Sequence, residues 1–289
     1  MEIVVASGKG GTGKTFLSSN MAIYLRDKGG VVAVDADVEA PDLLLALGGA
    51  HRVLWREEYY GAKQPTIDYA KCIRCWMCVK ACEFGALAAS PKGPVVDYDR
   101  CEGLGTCSLV CPVNAIQLVE AHTGAMYAAE SEAGVTVITG DLDLGQGASG
   151  RLVYELKERA YELSRERNAR YRVVDAAPGI GCPVISSIAG ADVLIVVVEP
   201  TPQSVKGAKR LVEVADMLRV KTLAVVNKYD LNPDYARSIP EMLEVELVGH
   251  VPYDEAVVRS YTLMKPLLTY SPRSKAAQSL LEIFSTLGF

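Results

Sequence analysis

The sequence predicts an α/β fold with a mainly parallel sheet, helices on both faces and a small inserted domain. Short apolar segments alternate with helical ones along most of the 289 residues, a glycine-rich loop follows the first apolar segment, and seven of the eight cysteines lie between residues 72 and 111. Such alternation is typical of parallel strands joined by right-handed helical crossovers. The cysteine-rich segment interrupts the alternation, and we interpret it as an insertion.

Seven strands are predicted where short apolar runs end at polar or turn residues, and helices where apolar residues recur at helical spacing. The strands are expected near residues 2–6, 31–35, 134–139, 171–175, 192–198, 222–227 and 247–251. The helices are expected over residues 15–28, 41–47, 149–167, 203–218 and 274–287. The insert is assigned to residues 62–121, which leaves residues 1–61 and 122–289 as the main domain.

Composition limits the possible function classes. An apolar fraction of 49% with 22% charged residues is typical of a globular chain. The net charge of −5 gives no basic footprint, so we expect no nucleic-acid partner. No apolar run approaches the roughly 18 residues of a membrane span, so we expect no transmembrane segment. Because no signal peptide precedes the first strand, we predict a cytoplasmic protein with reduced thiols.

A phosphate-binding loop follows the first predicted strand. It reads S-G-K-G-G-T-G-K-T from Ser7 to Thr15. Glycines at these positions let backbone N–H groups surround phosphate oxygens, the last lysine reaches the outer phosphates, and the threonine hydroxyl ligates magnesium. The predicted nucleotide-binding residues are Gly8, Lys9, Gly10, Gly11, Thr12, Gly13, Lys14 and Thr15.

The cysteines form two copies of one pattern, offset by 29 residues. The copies read Cys72, Cys75, Cys78 and Cys82, then Cys101, Leu104, Cys107 and Cys111. The repeat extends to the pairs Asp68 and Asp97, Ala86 and Ala115, and Leu87 and Ile116. This spacing is typical of bacterial-type ferredoxins, in which three thiolates bind one iron–sulfur cluster and the fourth binds the other. A zinc site, which usually has two short cysteine pairs, and disulfides are the weaker alternatives.

One ligand is missing from this scheme, because leucine has no lone pair to donate to iron. A complete 4Fe-4S cluster is assigned to Cys72, Cys75, Cys78 and Cys111. A second cluster is assigned to Cys82, Cys101 and Cys107. At its fourth position stands Leu104, with Glu102 or water as a substitute ligand. The second site could hold a 3Fe-4S cluster, which we favour in oxidised protein, or a 4Fe-4S cluster with an open iron, or it could be empty.

Lys9 narrows the choice among the families of nucleotide-binding proteins. The K-G-G-x-G-K-T segment resembles the deviant Walker A loop of the MinD, ParA, Mrp and nitrogenase iron-protein superfamily. With the cysteine repeat included, nearly the whole chain resembles MinD-superfamily P-loop ATPases that contain an inserted two-cluster ferredoxin domain. This resemblance implies a Mg²⁺-dependent ATPase that binds ATP and ADP and forms an ATP-dependent homodimer, in which Lys9 reaches the nucleotide of the partner subunit.

The same resemblance assigns roles to residues that follow other predicted strands. The expected magnesium ligands are Thr15, Asp35 and Asp175. The expected catalytic residues are Lys9, Lys14 and Asp37. Asp37 would orient the attacking water, because hydrolysis needs a water held in line with the phosphate. Gly179 is expected in the segment that senses the third phosphate.

Two further segments match the family. Asn227 resembles its adenine-binding asparagine, and Pro252, with the adjacent Tyr253 and Asp254, is expected to line the base pocket.

Cys182 is spaced from the Asp175 strand like a cluster-ligating cysteine of the nitrogenase iron protein. An isolated cysteine is more often a small core residue, and that alternative stays open.

Three functions are compatible with an ATPase that carries ferredoxin clusters. The first, which we favour, couples nucleotide-driven closure of a homodimer to electron transfer toward an unidentified redox partner. The second delivers iron–sulfur clusters to an acceptor protein, as in Mrp-type ATPases. The third is a MinD-like spatial organiser with clusters as redox sensor, but the last predicted helix, with Lys275 and Glu282 as its only charges, lacks a basic membrane-binding face. The choice rests on family analogy.

Overall fold

The computed structural model describes residues 1–146 and 149–288 of the chain. Its strands are β1 (Glu2–Ser7), β2 (Val31–Ala36), β3 (Ala50–Tyr59), β4 (Ala62–Ile67), β5 (Leu87–Ser90), β6 (Gly93–Val96), β7 (Ile116–Ala121), β8 (Gly124–Ser131), β9 (Thr136–Leu142), β10 (Tyr171–Pro178), β11 (Val193–Val198), β12 (Lys221–Asn227) and β13 (Glu246–Val251). Its α-helices are α1 (Lys14–Gly29), α2 (Leu43–Ala46), α3 (Met77–Ala81), α4 (Thr106–Leu109), α5 (Ser149–Glu166), α6 (Cys182–Ile188), α7 (Pro202–Met217), α8 (Pro233–Leu243), α9 (Glu255–Thr262), α10 (Leu267–Tyr270) and α11 (Lys275–Thr286).

The large sheet contains nine strands in the order β13-β12-β11-β1-β10-β2-β9-β8-β3. The six pairings from β13 to β9 are all parallel. At the centre, Val4 of β1 lies opposite Val174 of β10 and Leu194 of β11. Every residue of β1, β2 and β11 is buried, as expected for parallel strands covered by helices on both faces. The predicted α/β fold with a mainly parallel sheet is confirmed.

All seven predicted strands are present, and two further strands, β8 and β3, extend the sheet beyond β9. The sequence did not predict β3 because most of its residues are polar and exposed. It did not predict β8 because that strand is rich in alanine, which is depleted in strands. The predicted helix over residues 41–47 is shorter, Leu43–Ala46. No helix in the described ranges is long and apolar enough to cross a membrane.

The helix that follows the glycine loop is anchored in the core. In α1, Leu17, Met21 and Leu25 are buried, and they belong to the same apolar cluster as β1 and α11. The Tyr24 ring of α1 lies 5.4 Å from the Phe284 ring of α11, measured between centroids. Because one end of α1 forms part of the phosphate loop, this packing fixes the position of the loop.

The described residues form two compact units. The larger, here called the sheet unit, comprises Met1–Glu57, Met126–Asp141 and the described residues from Ser149 onward. The smaller, here called the cysteine unit, comprises Glu58–Ala125 and the described part of residues 142–148.

The 29-residue repeat is visible in the backbone of the cysteine unit. Strand β4 pairs antiparallel with β7, and β5 pairs antiparallel with β6. The backbone N–H of Asp68 donates to the carbonyl oxygen of Ala115 at 2.8 Å, and the N–H of Asp97 donates to that of Ala86 at 2.8 Å. Each of these equivalent hydrogen bonds joins one copy to the other. The two copies therefore fold as one interleaved structure.

Candidate functional site

A cavity of about 600 Å³ opens at the carboxyl ends of the central strands of the sheet unit. Its volume is in the range of small-molecule sites, and its place at the strand ends is where ligands bind in open α/β sheets. Of the residues predicted for the nucleotide site, those lining it are Gly10, Gly11, Gly13, Lys14, Thr15, Asp37, Asn227, Pro252, Tyr253 and Asp254. The structure thus brings together residues that are up to 244 positions apart in sequence, from Gly10 to Asp254.

The glycine loop is held by Asn227 at the end of β12. The Asn227 amide donates to the Thr12 carbonyl oxygen at 2.7 Å. Gly13 has a φ of 96°, and a Cβ there would lie 2.3 Å from the Asn227 amide nitrogen. A side chain at Gly13 would therefore strain the backbone and displace Asn227. In this structure Asn227 supports the phosphate loop, a contact additional to the base-binding role predicted for it.

Asp175, in the second half of β10, accepts hydrogen bonds from the beginning of α1. Its carboxylate accepts hydrogen bonds from the Thr15 hydroxyl at 2.6 Å and the Ser18 hydroxyl at 2.9 Å. Ser18 was not predicted. It lies three residues after Thr15, so a second hydroxyl on the same helix face was the available signal.

Asp35 lies beside Asp175 on the neighbouring strand, β2, and both carboxyls are buried. Asp35 accepts from the Leu43 N–H at 2.7 Å and the Asp37 N–H at 3.2 Å. Burial, and then the neighbouring Asp175, raise the pKa of Asp35 well above its usual range. Burial also raises the pKa of Asp175 to about 6, against hydrogen bonds and Lys14 that lower it. Two adjacent buried carboxyls with the Thr15 hydroxyl form an oxygen-rich donor set suited to a hard divalent cation.

Asp37 is half-buried at the cavity wall. Burial raises the pKa of its carboxyl, and the Lys14 charge acts in the opposite direction. Lys14 is itself almost fully buried and lines the same cavity. The cavity therefore has a cation and a carboxylate on its wall, as phosphate binding and the positioning of a water require.

Lys9 does not line the cavity and instead forms an ion pair. Its Nζ lies 2.8 Å from Glu199 Oε2, and Lys228 Nζ lies 2.6 Å from Glu199 Oε1. Although burial favours protonation of Glu199, hydrogen bonds from Lys228 and Lys9 hold its pKa below the usual value. Neither Glu199 nor Lys228 was predicted, because no sequence pattern indicates that the end of β11 meets the phosphate loop.

Seven cysteines of the cysteine unit divide between two small cavities. One, of about 20 Å³, is lined by Cys72, Cys75, Cys78 and Cys111. The other, of about 70 Å³, is lined by Cys82, Cys101 and Cys107, together with Glu102 and Leu104. These are the two groups that the repeat assigns to two clusters. Burial raises the pKa of the Cys78 and Cys107 thiols, so metal binding there must displace protons.

Other features of the thiols limit the alternatives. All eight cysteines are free thiols in this structure. Among the described residues, no three His, Cys, Asp or Glu side chains converge on a position that could hold one metal ion, and this holds for the cysteine cavities and for the pair Asp35 and Asp175. Cys182 is exposed at the start of α6 in the sheet unit, and it lines neither cysteine cavity.

Comparison with known proteins identifies the family. Residues 3–267 match the CobQ/CobB/MinD/ParA nucleotide binding domain. An uncharacterized protein of Methanocaldococcus jannaschii is 30% identical over 288 residues, which cover 99% of this chain and 96% of that protein. An uncharacterized ATP-binding protein of the same organism is 27% identical, covering 99% of this chain and 86% of that protein.

Solved structures give the same fold. The septum site-determining protein MinD of Pyrococcus horikoshii, complexed with Mg-ADP, aligns with a TM-score of 0.61 at 18% identity, covering 99% of this chain and 95% of that one. At this identity the likeness shows the fold alone. The family match over residues 3–267 shows more: the chain belongs to the CobQ/CobB/MinD/ParA nucleotide binding domain family and is a MinD/ParA-like nucleotide-binding protein.

Proposed function

We propose that this chain is a Mg²⁺-dependent ATPase that closes as a homodimer on ATP and couples closure to electron transfer through iron–sulfur clusters in the cysteine unit. The observation that carries this proposal is the division of seven cysteines into two cavities, four thiols in one and three in the other. A nucleotide-binding family member has no need of such thiol groups for nucleotide binding alone.

The nucleotide half of the proposal rests on the large cavity. Its Lys14 and glycine N–H groups suit a polyphosphate, and Thr15, Asp35 and Asp175 supply oxygen donors for magnesium. ATP is the favoured nucleotide because a relative is named as ATP-binding and a protein of the same fold was solved with Mg-ADP. Asp37 is the candidate for orienting water, so Asp37→Ala should slow hydrolysis and accumulate the nucleotide-bound dimer.

The iron–sulfur half rests on the chemistry of the donors. Each cysteine cavity is lined by thiols and apolar side chains, including Pro94 and Ile116 in one and Leu87 and Val96 in the other. Thiolates are the usual protein ligands of these clusters, and in a cubane each thiolate binds its own iron, so the sulfurs need not converge on one ion. The cysteines that line the two cavities therefore suit iron–sulfur clusters. When bound, a cluster supplies a one-electron carrier whose potential depends on hydrogen bonds and solvent exposure.

Cluster delivery is the second candidate, and Leu104 is the observation that favours it. The Leu104 side chain is 69% exposed and does not fill the second cavity. That cavity has the larger volume although it has one thiol fewer. An iron without a thiolate and open to solvent would exchange more readily than the four irons of a fully ligated cube. The two candidates thus differ in whether the second cluster leaves the protein.

The first experiment measures iron, acid-labile sulfide and electron paramagnetic resonance spectra of full-length protein purified without oxygen. We expect one 4Fe-4S cluster and a second cluster deficient in iron, and Leu104→Cys should raise the iron content. Leu109→Cys is the matched control, because Leu109 is also an exposed leucine of the second copy but does not line the cavity. Two complete four-iron clusters in the parent would contradict the ligand assignment, and absence of sulfide would contradict the cluster proposal.

The second experiment tests whether nucleotide binding is coupled to the redox properties of the clusters. We expect a non-hydrolysable ATP analogue to shift the reduction potential of at least one cluster, since allostery requires that ligand binding change the environment of the second site. Potentiometric titrations with and without the analogue measure this shift. Superimposable curves with equal accessibility of iron to chelators would contradict coupling. Transfer of iron to an apo-acceptor without any change in potential would favour the delivery function.

A further inference from the structure

We propose that Glu199 is a positioning residue that holds Lys9 in place within one subunit, and that breaking the Lys9–Glu199 ion pair is the step that permits dimer closure. This inference rests on the proposed ATP-dependent homodimer. Lys9 is the residue that would contact the partner's nucleotide, yet its ammonium group is already 2.8 Å from Glu199 Oε2 of its own subunit. The same group cannot satisfy both positions at once.

Both members of the pair are held by their backbones. Glu199 follows β11, and its N–H donates to the buried Ser204 hydroxyl at 3.0 Å while its carbonyl oxygen accepts from the Thr201 N–H at 2.7 Å. On the other side, the Lys9 carbonyl oxygen accepts from the Ser7 hydroxyl at 2.6 Å. With the two backbones fixed, the contact is determined by the positions of the segments and not by a chance meeting of mobile side chains.

The segments themselves touch at their glycines. A Cβ on Gly8 would lie 2.1 Å from the Gly207 carbonyl carbon, and a Cβ on Gly207 would lie 2.7 Å from the Gly8 carbonyl oxygen. No larger residue fits at either position without moving the backbone. The phosphate loop and α7 therefore lie in direct backbone contact next to the Lys9–Glu199 pair.

Lys228 explains how Glu199 can release Lys9. The Glu199 side chain is only 11% exposed, and leaving such a carboxylate without a partner would be costly. Lys228 binds the other carboxylate oxygen at 2.6 Å and also donates to the Gly11 carbonyl oxygen at 3.3 Å. When Lys9 leaves, Glu199 keeps one cation. The Lys9 side chain is 31% exposed, so its departure toward solvent or a partner subunit is sterically open.

Glu199→Gln tests the proposal, because glutamine keeps the shape and removes the charge. We expect the nucleotide-free variant to show faster amine labelling of Lys9, measured by mass spectrometry, than the parent. We also expect closure at roughly fivefold lower concentration of a non-hydrolysable ATP analogue, as is typical for loss of a partly exposed ion pair. Closure is measured by light scattering, and ADP affinity by calorimetry shows whether the nucleotide site itself is intact.

Two further variants test whether the effect of Glu199→Gln comes from loss of the Lys9–Glu199 ion pair. Lys9→Met removes both the ion pair and the contact with the partner's nucleotide, so closure should weaken, and addition of Glu199→Gln should not lower the analogue concentration needed for closure. Lys228→Met is the matched control for labelling, since it removes the other cation from the same carboxylate and should leave Lys9 labelling equal to or slower than that of the parent.

The outcomes separate the two levels of inference. Unchanged Lys9 labelling in Glu199→Gln, or weaker closure, or an equal effect in the Lys9→Met background, would overturn the Glu199 proposal alone. A parent protein that binds ADP but stays monomeric with the ATP analogue would overturn the dimer on which the proposal rests, and the role of Glu199 with it.

Discussion

The sheet unit and the cysteine unit obtain their stability in different ways. The sheet unit buries a large apolar cluster that joins β1, α1, β11 and α11. In the cysteine unit the buried cluster consists of Cys78, Leu87, Cys107 and Ile116, so half of it is thiol. Small domains with little apolar burial usually need a metal or a covalent cross-link. The comparison indicates that the sheet unit folds by hydrophobic burial, and it predicts that the cysteine unit would gain stability from the proposed clusters.

Helix capping shows the same contrast. In the sheet unit, helices α7, α8, α9 and α11 begin at a side chain that accepts a hydrogen bond from the first turn: Thr201, Asn232, Asp254 and Ser274. In the cysteine unit, α3 and α4 begin at Trp76 and Gly105, which have φ values of 61° and 80° and no side-chain cap. The local sequence thus specifies these four helices more strongly than the two short helices that carry Cys78 and Cys107, whereas α1, α2, α6 and α10 of the sheet unit also lack a side-chain cap.

If the cysteine unit binds the proposed clusters, removal of iron is expected to unfold that unit as a whole, which is the largest effect among these predictions. Chelation under reducing conditions should speed proteolytic cleavage within residues 58–125 by at least about tenfold, the change that corresponds to 1.4 kcal/mol of lost local stability. Cleavage of the sheet unit should stay unchanged. Limited proteolysis followed by mass spectrometry measures both rates, and protein reconstituted with iron and sulfide is the control. Equal resistance of the cysteine unit with and without iron would contradict the comparison.

The next largest effect is expected from a cavity-creating substitution in the core of the sheet unit. Leu280 of α11 is fully buried in the apolar cluster. Leu280→Ala should lower the free energy of unfolding of the sheet unit by about 2–5 kcal/mol through lost burial and a residual cavity. Hydrogen exchange of β1 amides at increasing denaturant measures this change. Leu109→Ala, at a leucine that is 86% exposed, should change stability by no more than about 0.5 kcal/mol. Lost iron in Leu280→Ala would argue against independent stabilisation of the two units.

Nucleotide should stabilise the sheet unit by a comparable but smaller amount. Saturation with Mg-ADP at about 100 times its dissociation constant should add about 2.7 kcal/mol, because ligand binding to the native state alone shifts unfolding by mass action. Thermal unfolding and hydrogen exchange measure the gain, which should be confined to sheet-unit amides. Lys14→Ala should lose it, because the ammonium group lines the cavity. The same gain in Lys14→Ala would place the nucleotide elsewhere.

The sequence predicted the seven parallel strands of the large sheet, but it did not predict β8 and β3, which extend the sheet at one edge. Each of the seven parallel strands contains a short apolar run, and in β1, β2 and β11 this run is buried on both faces, so the pattern can be recognised from the sequence alone. The formation of β3 and β8 depends on neighbouring strands, since about half of the residues of β3 are polar or charged and three of the eight residues of β8 are alanine. Such strands form by pairing with the unpaired edge strand of an existing sheet. The local sequence of β3 and β8 carries little information about whether such an edge is present.

The candidate site divides in the same way. Residues of the phosphate loop are adjacent in sequence, so a motif finds them, and carboxylates such as Asp175 were assigned by resemblance to a known family. Glu199 and Ser18 were missed because their roles depend on contacts over long sequence separations: Ser18 meets Asp175 across 157 positions, and Glu199 meets Lys9 from the end of β11. The repeat predicted which cysteines line the same cavity, and the assignment of these two groups to iron–sulfur clusters stays a prediction.

The smallest expected effect comes from the caps. Thr201 accepts a hydrogen bond from the Ser204 N–H at 3.3 Å at the start of α7. Thr201→Ala should cost about 1 kcal/mol, because the helix loses a partner for one of its free N–H groups. Thr106→Ala is the matched change in the cysteine unit, where α4 follows Gly105 without a side-chain cap. It should cost no more than about 0.5 kcal/mol, as for an ordinary surface substitution. Denaturant-dependent hydrogen exchange in α7 and α4 compares the two. An equal loss in both helices would mean that α4 is specified by its own sequence, and that the cysteine unit depends less on bound iron than its thiol-rich core indicates.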